Sequence, residues 1–153
     1  MNHSNKINWY YQLIMFLVMV IIGLTLNPMN ILAYNIKDLY FSYTLFYGAL
    51  LMATNMIWSH ELVNFFVYGY SHFNNKLFII GIILSLAIGI FLLRNQFIID
   101  DKQWLKRMIS HHSTALTTSQ NILNKSQNPN IKELASSIIK TQKEEIELMK
   151  SML

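Results

Sequence analysis

The chain has 153 residues, of which 53% are hydrophobic and 13% charged, against about 25% charged in an average soluble domain. The net charge of +4 does not indicate nucleic acid, because the basic residues are scattered or interleaved with glutamate, as in KTQKEEIELMK, the pattern of a solvated helix face. Cysteine is absent, which excludes disulfides and thiolate sites.

Up to Leu93 the only Lys, Arg, Asp or Glu residues are Lys6, Lys37, Asp38, Glu61 and Lys76. This asymmetry divides the chain into a membrane domain, 1–94, and a water-exposed domain, 95–153. The first apolar run, YYQLIMFLVMVIIGLTL, ends just before Pro28. It has no small-x-small cleavage site and two further hydrophobic segments follow, so it reads as a retained membrane helix over about 10–33 and not as a signal peptide. The second run extends from Leu39 to about Tyr70, with tyrosines near both ends as in interfacial belts, and places a helix over about 43–68. That helix carries His60 and Glu61. The third, LFIIGIILSLAIGIFLL, is uncharged and gives a helix over about 77–94.

Beyond Arg94 the periodicity changes. Trp104, Leu105, Met108, Ile109, Ala115, Leu116, Ile122 and Leu123 recur at helical spacing, with Asp100 and Asp101 as caps. SQNPN is a turn, in which either Asn128 caps a helix opened by Pro129 or Asn130 pairs with Glu133. A second amphipathic helix follows on Ile131, Leu134, Ala135, Ile138, Ile146, Met149 and Met152. The expected fold is all-α: three transmembrane helices, then an antiparallel amphipathic hairpin amounting to half of a ferritin-like four-helix bundle.

Folding the hairpin about Asn128 sets His112 opposite Glu144 or Glu145, and Met108 opposite Leu148 and Met149. Met108, His111 and His112 are three and four residues apart and so neighbours on one helix. Gln142, Glu145, Met149 and Met152 form a stripe on the other. Thioethers, imidazole and a carboxylate thus share one seam, a set suited to copper, especially Cu(I), and with the carboxylate also to Zn(II) or Cu(II). Adjacent residues project about 100° apart on a helix, so His111 and His112 are not expected to chelate one ion side by side. The bland alternative is that methionines fill the core and the histidines are solvated or hydrogen-bonded. In the membrane part, Met52, Met56 and His60 lie on one face of the second helix; with Met15 and Met19 they would make a Cu(I) path, against the simpler role of an anchor.

MISHHSTALTTSQ followed by LASSIIKTQKEEIELMKSML resembles a widespread bacterial family catalogued as a domain of unknown function. Its hallmark is Met-x-x-His-His-x-x-Ala, then Leu-Ala-x-x-Ile-Ile-x-x-Gln-x-x-Glu-Ile-x-x-Met. The matching positions are Met108, His111, His112, Ala115, Leu134, Ala135, Ile138, Ile139, Gln142, Glu145, Ile146 and Met149. One branch of the family is similar over the whole chain, with three spans and then an Asp-Asp pair and a Trp, as at Asp100, Asp101 and Trp104. Some soluble relatives are periplasmic copper-binding proteins with ferritin-like bundles, often carrying two hairpins.

The resemblance implies a membrane-anchored metal-binding protein for copper handling or resistance. Its site would comprise Met108, His111, His112, Glu145 and Met149; helical spacing adds Gln142, Met152, Met52, Met56 and His60 as lesser candidates, His60 being a departure from the related branch. It also implies that the hairpin lies on the extracytoplasmic side, although counting basic residues favours the cytoplasm. A lone hairpin leaves apolar faces uncovered, so a homodimer or higher homo-oligomer is expected, beside lipid and a metal ion as partners. The rival reading is a structural or assembly protein of a membrane or a viral particle whose hairpin only oligomerises. No catalytic constellation is evident: a Glu-x-x-His motif is lacking.

Overall fold

A computed structural model describes residues 9–153. Lys6, counted above for orientation, lies outside the described residues. The described chain is all-helical, and it divides into two compact units that interleave in sequence: residues up to Thr25 with Phe46–Phe97, and Leu26–Leu45 with Ile98–Leu153.

The first unit is built on α1 (Trp9–Thr25), most of α3 (Tyr43–Tyr68) and α4 (Asn75–Ala87), which continues as a wider π-helical stretch to Arg94. Small residues set its helix crossings. A Cβ placed on Gly23 would lie 2.9 Å from the Ala49 Cβ, and one on Gly81 would lie 2.9 Å from the backbone nitrogen of Trp58. Close backbone approach at Gly and Ala is how helices associate where lipid supplies no hydrophobic drive. Between α3 and α4 the buried Ser85 hydroxyl donates to Thr54 Oγ1 at 3.1 Å. At one end of this pair the Tyr47 hydroxyl donates to the Phe97 carbonyl. At the other the buried Glu61 carboxylate accepts the Asn74 amide at 2.9 Å, beside the side-chain cap that Asn74 provides for α4.

Of the three expected spans, two segments, Trp9–Ile31 and Asn75–Arg94, are long and apolar enough to cross a membrane. The helix expected over 43–68 forms as α3, with 26 residues. It falls short on composition, because Thr54, Asn55, Ser59, His60, Glu61 and Asn64 interrupt it. Several of these polar groups are used inside the protein, so their hydration is replaced by hydrogen bonds.

The second unit consists of α5 (Asp101–Lys125), α6 (Pro129–Ser151) and a strap, residues 26–45. Asp100 caps α5 by accepting the Gln103 amide at 2.8 Å. Asn128 caps α6 by accepting the Asn130 amide, with Pro129 at the first helical position, so the first of the two capping schemes is the one used. The helices run antiparallel over a core of Leu105, Ile109, Leu116, Ile146 and Met149.

The strap enters through α2 (Pro28–Ile31), a single turn capped by Asn27, and a 3-10 turn over Ile36–Asp38. It fastens to one polar face of α5. Ser110 Oγ donates to the Asp38 carbonyl at 2.8 Å, and Ser113 Oγ donates to Asp38 Oδ2 at 2.7 Å. The Tyr34 amide donates to Ser113 Oγ at 2.9 Å and the Tyr43 amide to Gln103 Oε1 at 2.9 Å. Tyr40 packs against the hairpin core. The hairpin is therefore covered on one side by residues that the sequence reading assigned to the membrane part.

Candidate metal centre

The other side of the α5–α6 seam holds an open cavity of about 270 Å³ lined by Met108, His112, Glu145, Met149 and Met152, with Trp104 and two leucines, Leu105 and Leu148, as its walls. The helical period explains the set. Met108 and His112 are one turn apart on α5, and Glu145 and Met149 on α6, with Met152 as its C-cap, follow at 4 and 3 residues. The antiparallel register about Asn128 brings the stripes face to face. Met149 is buried at 7% exposure and Met152 stands open at 58%, so the donors run from the core to the rim.

His112 Nδ1 stands 3.0 Å from Glu145 Oε2, with the His112 side chain 14% exposed and Glu145 43% exposed. The ring is off the line required for an ideal hydrogen bond, and the buried Nδ1 has no other partner. The distance is too short for two facing lone pairs, so a proton on Nδ1 accounts for the contact. Gln142 Nε2 donates to the same carboxylate oxygen at 3.1 Å. Gln142 thus touches Glu145 without lining the cavity.

The structure separates His111 from this group. It is exposed and outside the cavity lining, with its ring centroid 5.9 Å from that of His112, as the angular step between neighbours requires. Met52, Met56 and His60 belong to the first unit; Met52 is 42% exposed, and His60 contacts the Tyr11 ring.

Among the described residues no three His, Asp or Glu side chains gather as a metal-holding group. The cavity instead offers thioether sulfur, one imidazole and the Glu145 carboxylate that faces that imidazole; sulfur with imidazole is a donor set that suits Cu(I).

Sequence reasoning missed the strap contact. Asp38 is almost fully buried, and its Oδ1 pairs with Lys150 Nζ at 2.7 Å. That hydrogen bond raises the Lys150 pKa against a smaller opposing effect of burial, and the charge of Asp38 adds to the rise. On α5, burial pushes the Arg107 guanidinium below its ordinary range. The signal for the strap was present as Ser110, Ser113 and Thr114, a hydroxyl stripe at helical spacing on the face away from Met108 and His112. Nothing local named Asp38 as its partner.

Residues 96–153 match the family model described as "Domain of unknown function (DUF305)". The chain is also similar to "Uncharacterized protein L153" of Acanthamoeba polyphaga mimivirus, at 39% identity over 143 residues, covering 91% of each chain. No solved structure matches. With identity and coverage of that extent, the chain belongs to the family of this mimiviral protein, and its C-terminal part is a domain of the DUF305 type.

Proposed function

We propose that the protein is a membrane-anchored metal-binding protein of the copper-handling kind, with its site in the hairpin cavity. The observation that carries the reading is the convergence of Met108, His112, Met149 and Met152 on one apolar-walled cavity at the α5–α6 seam. Thioethers with imidazole favour Cu(I). The copper-binding relatives of the resembling family point the same way. Bound copper would be cargo held for handling or sequestration, and no redox step is part of the reading.

A parity argument supports three spans. The strap precedes α3 and α4, while the hairpin follows them, yet strap and hairpin form one packed unit. An even number of crossings must therefore separate them. If α4 crosses, α3 crosses as well, despite its polar residues. We place the hairpin on the extracytoplasmic side, as the resemblance implies. Lys102, Lys106 and Arg107 belong to a folded helix and weigh little in a charge count. Lys37, on the strap, is the basic residue that counts against this placement, because Asp38 is engaged by Lys150 and does not offset it. The dimer expected of the hairpin would use residues such as Leu134, Leu148 and Met152, each more than half exposed.

The test is a Cu(I) competition titration, with Ag(I) as a redox-inert substitute, on the full chain in detergent. Trp104 fluorescence in a Trp9→Phe/Trp58→Phe background reports on the cavity wall. Stoichiometric binding lost in His112→Ala and in Met108→Leu/Met149→Leu supports the reading; a folded wild type that binds neither ion removes it. The assembly reading draws on one observation, that His112 Nδ1 already has the Glu145 carboxylate at 3.0 Å without a metal. It predicts that the Met→Leu variant oligomerises like wild type and that no variant affects ion binding.

A further inference from the structure

We infer that Glu145 acts on the metal from outside its coordination shell: it holds His112 as the Nδ1–H tautomer, leaving Nε2 to bind the ion, and its single negative charge matches the cavity to monovalent Cu(I) or Ag(I) over divalent ions. The inference rests on the metal-binding reading above and assigns Glu145 a positioning role in place of the ligand role the sequence pattern gave it.

The geometry begins with the 3.0 Å separation of His112 Nδ1 and Glu145 Oε2. A bare ring nitrogen presents a lone pair, and a carboxylate oxygen presents another, so at this distance the pair is repulsive. A proton on Nδ1 reverses the sign. Nδ1 is sealed from solvent and has no competing partner, so the carboxylate is the group that decides the tautomer. In neutral imidazole a proton on Nδ1 leaves the Nε2 lone pair free, and an orienting carboxylate behind a metal-binding histidine is a general device for fixing ring and tautomer. Gln142 holds the carboxylate in turn through its 3.1 Å bond to Oε2. The oxygen facing His112 is thus engaged from two sides before any ion arrives.

The charge balance follows. Met108, Met149 and Met152 contribute uncharged sulfur, and His112 contributes an uncharged nitrogen. Among the residues lining the cavity Glu145 is the only carboxylate. One positive charge at the donors against one negative charge beside them leaves the cavity neutral. A divalent ion leaves one positive charge beside leucine, methionine and tryptophan walls, a penalty that solvent at the open mouth of the cavity reduces but does not reverse. Donor softness and charge count therefore select the same class of ion.

The experiment uses the full chain in detergent micelles, labelled with 15N-histidine, with His112→Gln to assign the resonance. At alkaline pH, where imidazole is neutral, His112 is expected as the Nδ1–H tautomer in wild type. Glu145→Gln keeps this tautomer through its amide oxygen; Glu145→Ala relaxes towards Nε2–H. Ag(I) affinity is expected to fall about 10- to 100-fold in Glu145→Ala, the usual effect of losing an orienting partner, while wild type prefers Ag(I) to Zn(II). A wild-type His112 in the Nε2–H form, Ag(I) affinity undiminished in Glu145→Ala, or Zn(II) bound as tightly as Ag(I) would each overturn this inference while leaving the metal site standing. Absence of any Ag(I) binding with the tautomer intact would overturn the metal reading itself, and the selectivity with it.

Discussion

Lys150 on α6 and Asp38 on the strap form an ion pair 2.7 Å long across a sequence separation of more than a hundred residues. With Ser113 on the second carboxylate oxygen, this pair binds α5, α6 and the strap at one point. Asp38 is nearly out of solvent, whereas the Lys150 side chain keeps 28% of its exposure. Lys150→Met would leave a buried carboxylate supported by one hydroxyl. We expect a loss on the order of 2–3 kcal/mol, below the range for fully buried pairs because Lys150 retains water contact. Thermal unfolding in detergent should show most of that loss restored in Asp38→Asn/Lys150→Met; no recovery in the double variant would separate the two residues energetically.

The same pair sets an alkaline limb. The folded Lys150 pKa is raised above its ordinary 10.5, first by the Asp38 hydrogen bond. A raised pKa contributes stability that is complete below the unfolded value and is lost as pH rises through the folded one. Wild type should therefore weaken as pH climbs past 10.5 and beyond, with Lys150→Met showing a flatter profile there. Equal slopes for the two proteins would remove Lys150 as the source.

Topology is testable in a background that needs no preparation, since the chain has no cysteine. Single cysteines at Asn35 in the strap, Ser71 between α3 and α4, and Lys125 at the hairpin turn should divide as follows with an impermeant maleimide. Asn35→Cys and Lys125→Cys label from one side, and Ser71→Cys from the other. Labelling of Ser71→Cys together with Lys125→Cys would remove the three-span arrangement.

The Gly81 contact predicts a steric effect. A methyl group there meets the Trp58 backbone at 2.9 Å, where no side-chain rotation relieves it. Gly81→Ala should cost roughly 1–3 kcal/mol, read as a lower denaturation midpoint in detergent. An unchanged midpoint would mean that α3 and α4 do not approach so closely.

Ile98 sits at φ 57, a left-handed conformation that costs a residue with a Cβ about 1–2 kcal/mol. Its side chain is 66% exposed, so little packing is lost on replacement. Ile98→Gly should stabilise the protein by about 1 kcal/mol, the strain relieved exceeding the added chain entropy. A lower melting temperature would show that the isoleucine contributes more by contact than it loses by conformation.

The hairpin was legible because its information is local. Caps at Asp100 and Asn128, apolar positions at helical spacing and a short turn determine both helices and their register, so that counting outward from Asn128 placed His112 opposite Glu144 or Glu145, of which the structure uses Glu145, and Met108 near Met149. His111 was separated from His112 by the same helical geometry. What was not legible depends on distant pairing. The strap reads as a polar gap between apolar runs, and its place on Ser110 and Ser113 follows from a buried carboxylate that sequence spacing does not announce. The helix over 43–68 was read as a span from length and interfacial tyrosines, and it is not apolar enough to qualify as one; its polarity makes physical sense once Glu61 is seen accepting the Asn74 amide and Thr54 meeting Ser85.

The strap also imposes an order of assembly. The α5–α6 contacts close over a short turn and form quickly, as local helical contacts do. The Asp38–Ser113 bond closes a loop of 75 residues that contains α3 and α4, so its entropy of closure is met only after those helices have been made and placed. Docking of the strap is then a late event and its release an early one. Amide exchange at Tyr34 and Tyr40 should run ahead of exchange in the middle of α5, reporting an opening in which the hairpin stays folded while its cover lifts.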